Sequence, residues 1–155
     1  MLLQIALILH ILAAMFWIGG MLFLVLVLVP FLKTIPDPAK KLEIYDIVGR
    51  KFSMWGWISI VILVVTGPVI LYSLHGVVPF DLLKPATYRG AFGTILGFKL
   101  IFVLMVIIIS AVHDFYIGPA AVHRQSLSAA ARWVGRVNFL LALIILVLAV
   151  ILRLS

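Results

Sequence analysis

Cysteine is absent from the 155-residue chain, which excludes disulfide bonds, thiolate metal sites and the covalent attachment of a c-type haem. Charge is almost as scarce. Five acidic side chains (Asp37, Glu43, Asp46, Asp81 and Asp114) stand against twelve Lys and Arg, and charged residues make up 11% of the chain. A soluble domain carries about 25%. The alternation of apolar and polar residues that marks a membrane β-barrel is missing too, as are internal repeats. Backbone groups in lipid must then be satisfied within helices.

What fills the chain is apolar: 66% of it is hydrophobic. Four continuous runs, at residues 2–32, 54–74, 92–112 and 134–152, reach the length of about 20 residues that crosses a bilayer as a helix. The sequence therefore predicts an all-α, multi-pass integral membrane protein, a four-helix bundle forming one domain over residues 1–155. No basic segment precedes the first run, which is about twice as long as the apolar core of a signal peptide, so it is expected to stay in the membrane.

The net charge of +7 points away from nucleic acid, because the cations flank the apolar runs, where they report topology. The segment between the first two runs holds Lys33, Lys40, Lys41, Arg50 and Lys51 against three acids. The next has Lys84 and Arg89 with Asp81, and the third has Arg124, Arg132 and Arg136 with Asp114. The first and third are thus expected inside and both termini on the outer, periplasmic side of the plasma membrane, with Arg153 running against the trend. Trp55, Trp57 and Trp133 suit the inner interface, Tyr72 and Tyr88 the outer. Pro36 and Pro38 predict a turn, with Asp37 or Asp46 capping a short interfacial helix. The Pro-containing segment from Gly76 to Gly90 is long enough to fold over the outer face as a lid.

Within the first run stands His10, about 12 Å along a helix that begins at Leu2. An ionisable group so deep is costly and points to function. Its face includes Ala6, Ala14, Trp17 and Met21, with Ala13 and Gly20 to one side. Small residues leave room for a planar cofactor, or for a neighbouring helix to which the imidazole is hydrogen-bonded. Lys99, in the third run, falls at a similar depth. It either snorkels outward or faces inward to meet an anion. Its stripe continues through Phe102, Val106 and Ser110 to His113, about 21 Å further along the axis. Ser59, Thr66 and Ser73 form a polar stripe on the second helix, where Gly67 and Pro68 are expected to loosen the backbone. His75 is expected at the interface. The exit of the third helix, His113-Asp114 to Gly118-Pro119 with His123 and Arg124 beyond, reads either as a mutually orienting His–Asp pair able to bind a cation or pass protons, or as an ordinary helix end.

The run from His10 through Trp17-Ile-Gly-Gly20 to Pro30, Lys51-Phe52-Ser53 leading into Thr66-Gly67, Lys99 and the His113-Asp114 exit together resemble the copper-resistance D family of membrane proteins, over nearly the whole chain. A more distant likeness is to the haem-binding membrane protoporphyrinogen oxidase, with a histidine on its first helix and a lysine on its third. These resemblances imply a haem b or metal site at His10, with Lys99 serving a propionate or substrate and Trp17, Ala14 and Thr66 lining it. Copper would draw on His10, Met21 and His113. Soft Cu(I) prefers sulfur, and the five methionines form no close cluster in sequence, whereas haem needs only one or two side chains to complete its iron.

Three expectations follow. The first is a haem b or metal site centred on His10 in the outer half, serving metal handling or transmembrane electron transfer. The second is a cofactor-free accessory subunit, in a homo-oligomer or a larger membrane complex. The third is an enzyme of the protoporphyrinogen oxidase kind that passes electrons to quinone.

Overall fold

We describe a computed structural model covering residues 1–118 and 125–154. Among these residues all regular structure is helical, and four helices are long and apolar enough to cross a membrane: Leu2–Thr34, Pro38–His75, Gly90–Ile117 and Trp133–Leu154. The first comprises α1 (Leu2–Phe23), a π-helical turn (Leu24–Leu28) and α2 (Val29–Thr34). Next come α3 (Pro38–His75), two short 3-10 turns, α4 (Gly90–Val112) with a second π turn (His113–Ile117), and α5 (Gln125–Leu154).

The segment expected as a loop with a short separate helix is corrected. Only residues 35–37 are non-helical there, and α3 runs unbroken from Pro38. Asp37 accepts from the Ala39 N–H at 2.9 Å and Pro38 takes the first helical position, where its missing N–H costs nothing. No proline follows until Pro68, and Asp46 and Arg50 pair one turn apart at 2.5 Å, so the polar stretch simply continues as helix. Gly76 ends it in the left-handed conformation, φ 68°, with its N–H on the Tyr72 carbonyl. Pro68 stays inside the helix.

The two π turns share a cause legible in the chain. Each closes on the residue before a proline: the Val29 N–H bonds to Leu24 ahead of Pro30, and the Gly118 N–H bonds to His113 ahead of Pro119. A proline ring crowds the carbonyl four residues back, and a locally wider turn relieves that clash.

The helices pair as two hairpins, α1 against α3 and α4 against α5, which meet chiefly along α1 and α5. Side-chain bonds set the register: His10 meets Thr66 near one end, and Ser53 meets Asp114 near the other. The core joins Trp17 and Met21 of α1, Ile60 of α3, Val106 of α4 and Leu141 and Ala142 of α5. The outer surface is apolar as well, with Leu12, Leu104 and Val150 each more than half exposed. That is the inverse of a soluble bundle, where such faces are polar.

The connection expected as a lid instead clamps to the start of α4. The Tyr88 hydroxyl donates to the Leu82 carbonyl at 2.5 Å and the Thr87 hydroxyl to the Asp81 carbonyl at 2.7 Å. The Tyr88 ring lies 3.1 Å from where a Cβ on Gly97 would stand. Asp81 accepts from Lys84 Nζ at 2.8 Å and from the Val78 N–H at 3.1 Å, and the Lys84 bond above all holds its carboxyl below the usual aspartate range. A depressed carboxyl pKa stabilises the fold above the ordinary value and loses that contribution as pH falls through the lowered one. The protection of the Val78 amide, its exchange rate relative to that of a free amide at the same pH, should therefore fall only at strongly acidic pH in the wild type, and already at neutral pH in Asp81→Ala.

Candidate functional site

Two polar clusters interrupt the apolar bundle, one toward each end. The first is built on the His10–Thr66 pair. His10 Nδ1 and Thr66 Oγ1 are 2.7 Å apart, and the Thr66 hydroxyl donates to the Ile62 carbonyl at 2.6 Å. A threonine hydroxyl has one proton. With that proton on Ile62, the bond to His10 must use the imidazole's own Nδ1–H, and Thr66 is the acceptor. His10 is thereby fixed in the tautomer that leaves a bare lone pair on Nε2. Thr66 is buried, and the back-bond to the preceding turn is the ordinary use of threonine inside an apolar helix. A Cβ on Gly67 would stand 3.7 Å from His10 Cε1, so the imidazole lies directly against the glycine.

Lys99 belongs to the same neighbourhood. Its ammonium is close enough to His10 for the two to interact electrostatically, and no carboxylate among the described residues pairs with it. A half-buried ammonium with no anion beside it leaves room for an anionic group from elsewhere.

Other residues expected at this site serve the packing. Trp17 and Met21 are buried in the core cluster, with Trp17 lying against Gly56. They sit about 10 Å and about 16 Å further along the helix than His10, so Met21 is not brought together with His10. Ala14 is half-buried and Ala13 buried one turn below the histidine. Thr66 reaches the site through His10. His75 stacks on Phe92 at 4.5 Å between ring centroids, at the exposed end of α3. His123 and Arg124 lie outside the described residues.

The second cluster centres on Asp114. Its Oδ2 accepts from Ser53 Oγ at 2.7 Å and Trp57 Nε1 at 3.1 Å, and its Oδ1 meets His113 Nδ1 at 2.8 Å. Sequence neighbours do not face one another on a regular α-helix, and this His–Asp contact occurs where the helix opens into its π turn. The carboxylate ties α4 to α3 and directs His113 Nε2 away from itself. One turn back on α4, buried Ser110 accepts from Asn138 Nδ2 of α5 at 3.0 Å, while Asn138 Oδ1 is buried with no hydrogen-bond partner. Among the described residues no three His, Cys, Asp or Glu side chains converge as a metal cage.

Sequence reasoning took Trp57 for an interfacial aromatic and passed over Ser53 and Asn138 as site residues. The signals were present: Ser53 and Trp57 are four apart and so share a helix face, Asp114 closes an otherwise apolar helix, and Asn138 is an amide within the fourth apolar run.

Over 153 residues the chain is 36% identical to a protein of Aquifex aeolicus (strain VF5) described as uncharacterized, an alignment that covers 98% of this chain and 96% of that one. The chain belongs to that protein's family. Comparison with family patterns gives no match, nor does comparison with solved structures.

Two outcomes check these clusters. In a 15N NMR spectrum of labelled imidazoles, His10 of protein prepared free of any bound cofactor should show protonated Nδ1 and bare Nε2 in the wild type and in Thr66→Ser. In Thr66→Val that preference should be lost. Asp114→Ala, which strands the Ser53 and Trp57 donors, should lower stability by about 3 kcal/mol and Ser53→Ala by about 1 kcal/mol, measured by denaturation in detergent.

Proposed function

We propose that the chain is an integral membrane protein of the copper-resistance D type, set in the plasma membrane with both termini outside, and that His10 holds a haem b in the outer half of the bundle for transmembrane electron transfer. One observation carries the reading: the Thr66 hydroxyl fixes the His10 tautomer and leaves Nε2 as an uncommitted ligand nitrogen. Metal-bound histidines are oriented in this way, with one ring nitrogen donating to a neighbouring oxygen and the other binding the metal.

The donor set favours haem over a bare copper ion. The porphyrin brings four nitrogens of its own, so a single imidazole suffices, whereas Cu(I) would seek sulfur ligands and Met21 lies about 16 Å along the helix from His10. Bound at Nε2, haem would supply one-electron redox chemistry. The chain's own part is to present Nε2, to orient the ring through Thr66, and to offer Lys99 to a propionate. The same Lys99 is what a protoporphyrinogen-oxidase-like enzyme would use toward an anionic substrate.

Protein purified in detergent from haem-replete cells is expected to show a Soret band. The band should be lost in His10→Ala, while Lys99→Gln should retain haem with a shifted reduction potential. A colourless wild type, or a His10→Ala variant that keeps the band, would overturn the haem reading. Copper co-purifying in proportion to protein, and lost with His10, would favour a metal site there instead. A colourless, metal-free protein that co-purifies with a larger membrane complex would favour the accessory role.

A further inference from the structure

A groove on the face between α1 and α3 lies apart from both polar clusters. It holds about 360 Å³ and is lined by Phe16, Gly20, Phe23 and Leu24 on one side and Val48, Lys51, Phe52 and Trp55 on the other. We infer that this groove binds one anionic phospholipid, with an acyl chain along its floor and the phosphate at Lys51. The inference rests on the membrane insertion proposed above and is independent of whether His10 carries haem.

Length, shape and charge each support this occupant. From Phe16 to Leu24 the groove runs about 12 Å, most of the roughly 15 Å of hydrocarbon in one leaflet. Its floor exists because residue 20 is glycine: the Phe52 ring occupies the place where a Cβ would stand. The far end is stopped by the Phe16 and Trp55 rings, whose centroids are 6.3 Å apart. At the other end the π turn begins at Leu24, and Lys51 is the one charged lining residue.

Lys51 also has reason to seek an anion. No carboxylate among the described residues pairs with it, whereas the neighbouring Arg50 is held by Asp46. A lipid phosphate supplies that anion, and the acyl chain it carries covers the groove floor toward Phe16 and Trp55. A neutral lipid would fill the floor and leave the lysine unpaired.

The test is native mass spectrometry on the full chain. Solubility is recorded first, so that failure of membrane insertion appears as a protein extracted without detergent and not as an empty groove. Delipidated protein is then titrated with phosphatidylglycerol and with phosphatidylcholine of the same acyl chains. One phosphatidylglycerol per chain should bind in preference to phosphatidylcholine. Lys51→Gln should weaken it roughly fivefold, the effect expected of one lysine near an anionic headgroup. Lys40→Gln with Lys41→Gln, which removes more charge from the same end of the bundle, should leave it unchanged. Val48→Trp, placed to fill the groove, should reduce both lipids. Equal retention of the two lipids, or a Lys51→Gln variant that binds like the wild type, would overturn the inference. So would a loss that follows Lys40 and Lys41 instead.

Discussion

The Thr66 hydroxyl has a single proton and gives it to the Ile62 carbonyl, one turn earlier on its own helix. The rest of the first polar cluster depends on that choice. Because the proton is committed, Thr66 receives from His10, the imidazole is held in one tautomer, and its second nitrogen is left to face whatever the bundle admits. The pairing is also the contact by which α1 and α3 meet through polar atoms in an otherwise apolar interface. Orientation of the imidazole and registration of two helices are one interaction.

The same economy governs the other end. Asp114 has two oxygens and three donors, two from α3 and one from its own neighbour. A carboxylate in an apolar bundle is costly unless its lone pairs are engaged, and here the groups that engage it also fix the relative height of α3 and α4. The imidazoles of His10 and His113 are both held by Nδ1, one by a hydroxyl and one by a carboxylate. The two polar levels are separated by the layer of Trp17, Met21, Ile60, Val106 and Leu141, which fills the bundle between them.

Much of this was legible because apolar length and the placement of prolines are local properties. The four helices follow from continuous hydrophobic runs, and His10, Thr66 and Lys99 stand out as polar groups where polarity is costly. The length of α3 was misread because the charges of residues 40–51 look like a loop. Yet charge alone does not stop a helix that has a good cap at Asp37 and an internal ion pair. The Asp114 clamp was only half visible: His113 and Asp114 are adjacent in sequence, but Ser53 and Trp57 reach them through a helix pairing that no local pattern encodes. Thr66 stands out in the sequence only as a polar group on the second helix; its bonds to His10 and Ile62, which reveal which way the proton points, belong to the folded pairing.

His10 and Thr66 both lie within the first 75 residues, and the bond between them asks nothing of the chain beyond α3. During synthesis the N-terminal hairpin can close on this contact while α4 and α5 are still to be made, since chains fold progressively from the N-terminus. Lys99 and the Asp114 clamp then arrive at a pair whose tautomer is already chosen. The order of translation thus separates the fixing of the imidazole from the packing of the later helices around it.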